Sequence, residues 1–141
     1  MTGTDPDPAF SVQRTRVSGR RFLAHLIDGV VMTALLIVTL IPALLVAEAV
    51  VLAVFAFWLL PGHVLYYVLL QRRHGRTPGK RATGLRVVDA AGNVPDTGAL
   101  VRRTVPLIIE YFYIFAWIAM MLSPYRQRFG DRWADTYVVA D

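Results

Sequence analysis

The chain has 141 residues, room for one domain and little more. Hydrophobic residues make up 55% and charged residues 18%. That excludes a disordered chain and is unusual for a soluble domain, where roughly 25% of residues are charged. No cysteine is present, which excludes disulfides, thiolate metal sites and cysteine nucleophiles. The net charge of +5 and pI of about 10.1 fit either nucleic-acid binding or the inner face of a membrane protein.

Residues 1–16, with Asp5-Pro6-Asp7-Pro8, read as a disordered cytoplasmic tail. Residues 17–140 read as one membrane domain. From Phe22 to Gln71 there is no lysine or arginine, and the acids are Asp28 and Glu48. A bilayer-spanning helix takes about 20 mostly apolar residues. The stretch therefore holds two spans, about 22–45 and 49–70, with Pro42 and Glu48 bracketing the turn. Arginines flank the pair on both sides and are missing from the turn. The positive-inside rule then places the N-terminus and the following segment in the cytoplasm of a multi-pass inner-membrane protein. A signal peptide is the competing reading, but the apolar run exceeds its usual 7–15 residues and a second span follows.

The segment 71–103 carries eight basic residues and two acids, Asp89 and Asp96. Leu85-Arg86-Val87-Val88-Asp89 alternates as a short strand, and Ala90-Ala91-Gly92-Asn93 supplies a turn. Asp96 or Thr97 is placed to cap a helix starting near Gly98. Residues 104–122 form a third apolar helix, either re-entrant or spanning. Three arginines in 123–140, and a strand at Tyr137-Val138-Val139 that needs Leu85–Asp89 as partner, favour a cytoplasmic C-terminus and the re-entrant form. The expected fold is thus a mainly α membrane protein: a helical transmembrane hairpin, a third apolar helix and a small cytoplasmic β element.

Arg21, His25 and Asp28 share one face of the first helix, with Ala24 beside them. A carboxylate near mid-helix costs about 2.5–3.5 kcal/mol on insertion scales, so Asp28 needs a basic partner, a wet cavity or a proton. Two readings follow: an ion or proton site, or a buried pair that sets helix packing. His63, beside Pro61-Gly62, and Glu110 are further protonatable groups inside apolar stretches. Gly75-Arg76-Thr77-Pro78-Gly79-Lys80 only faintly resembles a phosphate-binding loop, with Arg81 where Ser or Thr should stand. The histidines lack metal-ligand spacing and no nucleophile–base set is visible, so neither enzyme chemistry nor a cofactor is expected. Anionic headgroups, rather than nucleic acid, are the expected partner of the basic segment.

The whole pattern resembles the RDD family of small prokaryotic integral membrane proteins. Arg21, Ala24 and Asp28 match its Arg-x-x-Ala-x-x-x-Asp. Thr77-Pro78-Gly79-Lys80-Arg81, followed by Gly84-Leu85-Arg86-Val87-Val88-Asp89 and Gly92, is similar to its central motif. Arg103 matches the arginine before its last apolar stretch. Asp131-Arg132-Trp133-Ala134-Asp135-Thr136 resembles its closing motif, with Asp131 as the second family aspartate. Gly130 stands where the family usually has His, and Asp135 where it has Gly. The resemblance implies a membrane fold, and transport of unknown ligands has been suggested for the family. The expected function is a small transporter or transporter subunit for an ion or small solute, built on Arg21, Asp28 and Asp131. Two or three helices cannot enclose a pathway, so that function requires a homo-oligomer or another membrane protein. The alternative is a non-transporting anchor or assembly module whose Lys80, Arg81 and Arg86 bind a partner protein or anionic lipid.

Overall fold

The computed structural model describes residues 9–59, 61–106 and 113–141. The chain is mainly helical. In order come a 3-10 turn (Val12–Thr15), α1 (Ser18–Leu44), α2 (Glu48–Leu59), α3 (Pro61–His74), α4 (Pro78–Ala82), β1 (Leu85–Asp89), α5 (Thr97–Thr104), α6 (Tyr113–Leu122), α7 (Phe129–Trp133) and β2 (Thr136–Ala140).

Helix α1 runs unbroken past Pro42, the near edge of the expected turn. Pro42 lies within its last turns and the helix ends two residues later. Among the described residues it is the one helix long and apolar enough to cross a membrane by itself, and only 11% of its most apolar window is buried. The core helix of a soluble protein would be mostly covered. Instead Val30, Val38 and Leu44 are 70%, 68% and 64% exposed.

The second expected span is not one straight helix. It is divided into α2 and α3, which meet at 46°. Pro61 opens α3. Proline lacks an N–H and its ring crowds the preceding turn, which kinks or breaks a helix at that point. Together the bent pair meets the length and composition of a second span. None of α2 is buried.

Beyond α3 the chain folds into a small packed unit. β1 and β2 pair antiparallel, Val87 opposite Val138 at the centre of the register. Alternation sends Leu85, Val87 and Val138 to one face, where they meet Val17 and Ala24 near the start of α1, Val68 of α3 and Leu100 of α5. Val88, Tyr137 and Val139 cover the other face with Phe10 and Tyr125 packed on them. Asp96 caps α5, its carboxylate accepting from the Ala99 amide at 2.8 Å.

Part of the expected disordered tail is instead ordered. Ala9 donates its amide to the Ala90 carbonyl, Arg14 reaches the Ala140 carbonyl at 2.8 Å, and Thr15 is fully buried. The Phe10 ring lies edge-on against Tyr137 with centroids 5.1 Å apart. A low-hydrophobicity sequence gave no sign of this, because its one aromatic finds its surface on a strand over 120 residues away. Residues 1–8, and Glu110 with its neighbours in 107–112, lie outside the described residues.

Asp135 links α7 to β2 with φ of +52°. That left-handed geometry costs an L residue about 1–2 kcal/mol, whereas glycine adopts it freely at an entropic cost of about 0.5–1 kcal/mol. Asp135→Gly should therefore raise stability in detergent by roughly 0.5 kcal/mol. Thermal unfolding of the two proteins checks this.

Candidate functional site

The sequence motifs converge on two buried carboxylates, both facing the packed unit. Asp28 lies on α1 with zero exposure. Its Oδ2 accepts from the Thr77 hydroxyl at 2.6 Å. Its Oδ1 accepts from the Gly79 amide at 2.8 Å and the Tyr66 hydroxyl at 3.1 Å. Thr77 in turn is the N-cap of α4 and accepts from the Lys80 amide at 3.3 Å. A helix start leaves amides without intrahelical partners, and here a carboxylate from another helix completes the cap.

The same contact explains the small residues of both motifs. Gly79 sits directly on α1. A Cβ there would run into the Ala24 carbonyl oxygen and lie 2.9 Å from the Asp28 carboxyl carbon. Ala24 is itself 2% exposed. Pro78 fills the first turn of α4, where its missing N–H costs nothing. Arg81 points outward from α4 and is exposed. Gly84 (φ +62°) and Gly92 (φ +86°) form the turns on either side of β1. Asp89 closes the second turn by accepting from the Asn93 amide at 2.8 Å.

Asp131, on α7, is also fully buried. Arg21 donates to its Oδ2 and, through its other terminal nitrogen, to the Arg126 carbonyl at 2.7 Å. Arg103 reaches its Oδ1 at 2.8 Å. The Arg128 amide donates to Oδ2 at 3.2 Å, with the guanidinium Nε at 3.8 Å. Arg103 also lies 3.4 Å from the Thr136 hydroxyl. Burial by itself would raise the Asp131 pKa, but Arg103, then Arg21, then Arg128 hold the carboxyl well below the usual carboxylate range.

The family arginine and first family aspartate, seven residues apart on α1, therefore do not pair with each other. Arg21 binds Asp131, and Asp28 binds the Thr77–Gly79 turn. Gly130 carries no side chain because a Cβ would land on the Arg103 carbonyl. The sequence alone did not single out Tyr66 or Arg128. A tyrosine inside an apolar span was one available signal, since its hydroxyl needs a partner when buried. An arginine three residues before a helical aspartate was the other.

His25 and His63 belong to a third feature. His25 Nδ1 and the Tyr67 hydroxyl share a hydrogen bond at 3.2 Å. The His63 ring lies 5.0 Å from the Tyr67 ring. All three line a groove of about 970 Å³ between α1 and the bent pair, whose other walls include Met32, Ile37, Phe55 and Trp58. The half-buried Lys80 ammonium lies 5.4 Å from the Tyr67 ring centroid, within cation–π range.

Burial pushes the Lys80 ammonium down to about 7, with Arg103 acting in the same direction and Asp28 against it. Arg128 and Arg21 add further repulsion. Between about pH 7 and the ordinary lysine value of 10.5, the folded chain binds fewer protons at this site than the unfolded one. Stability in detergent should therefore rise with pH across that window. Lys80→Met should flatten the rise, as read from unfolding midpoints at pH 7 and 9.

Among the described residues no cluster of three or more His, Asp or Glu is arranged to hold a metal. No curated protein and no solved structure matches the chain. The RDD family model matches residues 16–135, which contain both carboxylates and every residue that binds them, and the chain belongs to the RDD family.

Proposed function

We propose that this RDD protein is a multi-pass inner-membrane protein that serves as a lipid-embedded binding and assembly module, without catalytic chemistry of its own. In this reading α1 and the bent α2–α3 pair form the membrane hairpin. The packed unit around β1 and β2 lies on the cytoplasmic side with the N-terminus. The exposed apolar surface of α1 and α2 supports lipid as their surroundings. The arginines beyond both ends of the hairpin support the orientation.

One observation favours a module over a transporter: the Asp28 carboxylate is enclosed and accepts three internal hydrogen bonds. A carboxylate that carries an ion or a proton exchanges partners in each cycle. Here any exchange would uncap α4 and release the Thr77–Gly79 turn from α1. Asp28 and Asp131 thus act as fasteners between the membrane helix and the polar unit. Lys80, Arg81 and Arg86 present the binding surface for anionic lipid or for another membrane protein, and a second copy of the chain is one candidate partner.

A transport reading retains one specific support, the row of titratable groups His25, Tyr67 and His63 along the groove. Proteoliposomes under a pH or cation gradient separate the two. The module reading expects wild-type and His25→Phe liposomes to match empty ones. Flux in the wild type that His25→Phe abolishes would establish transport instead.

A further inference from the structure

The groove between α1 and the bent pair has one polar end. His25, His63 and Tyr67 stand there, Lys80 covers the Tyr67 ring, and the remaining walls are almost wholly apolar. Along α1 the lining runs from Phe22 to Ile37, which at 1.5 Å per residue spans about 22 Å. One leaflet of a bilayer has a hydrocarbon depth of about 15 Å, half of roughly 30 Å. The volume of about 970 Å³ lies at the upper end of the range, roughly 300–1,000 Å³, of sites that enclose a small molecule. The α1 wall is also recessed by small residues. Gly29 and Ala34 face the groove, and a Cβ on Gly29 would meet nothing within 4 Å.

Lys80 supplies the charge. It makes no ion pair with a carboxylate among the described residues, and its ammonium meets the face of Tyr67. The nearby Asp28 is already engaged by three donors. A half-buried ammonium without an anion bears part of the desolvation cost, and an anion arriving from the membrane interface would relieve it. Apolar length, a single polar end and a cation against the Tyr67 ring that lines that end together fit an amphiphile with one negative charge.

We infer that this groove holds one acyl chain of an anionic phospholipid from the inner leaflet, with the lipid phosphate seated against Lys80 beside the His25–Tyr67 pair. The inference deepens the module reading and rests on it. It names the lipid class and moves recognition from the exposed arginines to the mouth of the groove. The lipid then acts as a wedge that fills the space where α2–α3 bends away from α1.

Native mass spectrometry of the intact chain tests this after reconstitution in equal phosphatidylglycerol and phosphatidylcholine. The wild type should retain one phosphatidylglycerol per chain in preference to phosphatidylcholine. Lys80→Gln should lower that preference about fivefold, the equivalent of the roughly 1 kcal/mol that a basic residue contributes at a membrane surface. Lys80→Arg should keep the preference. Gly29→Leu and Ala34→Phe, which fill the groove, should reduce the retained lipid of either headgroup. An unchanged preference in Lys80→Gln, or unchanged retention in both groove-filling variants, would overturn the assignment. If Arg81→Gln with Arg86→Gln removes the preference while Lys80→Gln does not, the module binds lipid on its exposed face and the groove assignment alone fails. Absence of any lipid preference in the wild type would overturn both.

Discussion

Asp131→Asn is expected to cost about 3–5 kcal/mol, the usual loss when one partner of a buried ion pair is removed. Three guanidinium groups converge on this carboxylate: those of Arg21, Arg103 and Arg128. They come from α1, α5 and the residue just before α7, so loss of the charge loosens three elements together. In detergent the variant should unfold at a much lower temperature or fail to purify as a monodisperse species. A milder pair of variants keeps the claim testable if the first does not fold. Arg21→Lys and Asp131→Glu, which keep both charges, should show, singly and combined, a coupling of about 0.5–3 kcal/mol in a double-mutant cycle. Additive effects would mean that Arg21 does not act through Asp131. The linkage also has a pH signature. Asp131 is held well below its ordinary value of 3.8, so its contribution is complete at neutral pH and declines as the pH falls below about 4. Asp131→Leu should remove that acid-dependent loss.

Gly79→Ala is expected to be as damaging, although it adds a single methyl group. The new Cβ would meet the Ala24 carbonyl oxygen, which is backbone and cannot rotate away. Overpacking of this kind costs about 1–3 kcal/mol and sometimes more. Here the shift also draws the Gly79 amide from Asp28, and an unsatisfied buried group adds about 1–3 kcal/mol. Thermal unfolding should place Gly79→Ala below Asp28→Asn, which keeps one acceptor oxygen. Ala24→Gly should not rescue it, because the obstacle is not the Ala24 side chain. A Gly79→Ala protein as stable as the wild type would remove the interlock between α1 and α4.

The parts of this structure that local chemistry dictates can be read from the sequence. Alternation in Leu85–Asp89 marks a strand, and the structure has β1 over the same five residues. Asp96 and Thr97 mark a cap, and Asp96 is the one that forms it. The unreadable parts depend on contacts between distant segments. Asp28 and Thr77 are 49 residues apart, and Arg21 and Asp131 are 110 apart. Spacing on α1 put Arg21, His25 and Asp28 on one face, but a shared face does not choose partners, and each found a different one. The bend at Pro61 was signalled by proline in an apolar run, yet hydropathy averages over a whole window and does not register one missing N–H. The packed stretch at residues 9–16 carried no periodic signal, because its order comes from the sheet it covers.

In the proposed arrangement both family aspartates are fasteners that hold a polar unit against the inner end of a membrane hairpin. The absence of cysteine makes the orientation directly measurable. Glu48 lies exposed at the turn between α1 and α2. Asp141 lies beyond β2, in partly exposed ion pairs with Arg76 and Arg86, worth little to stability. Single cysteines at these two positions can be labelled in intact cells with a membrane-impermeant maleimide. The proposed arrangement predicts that Glu48→Cys reacts from outside and that Asp141→Cys reacts only after permeabilisation. Labelling of both from the same side, or of Asp141→Cys alone in intact cells, would contradict it.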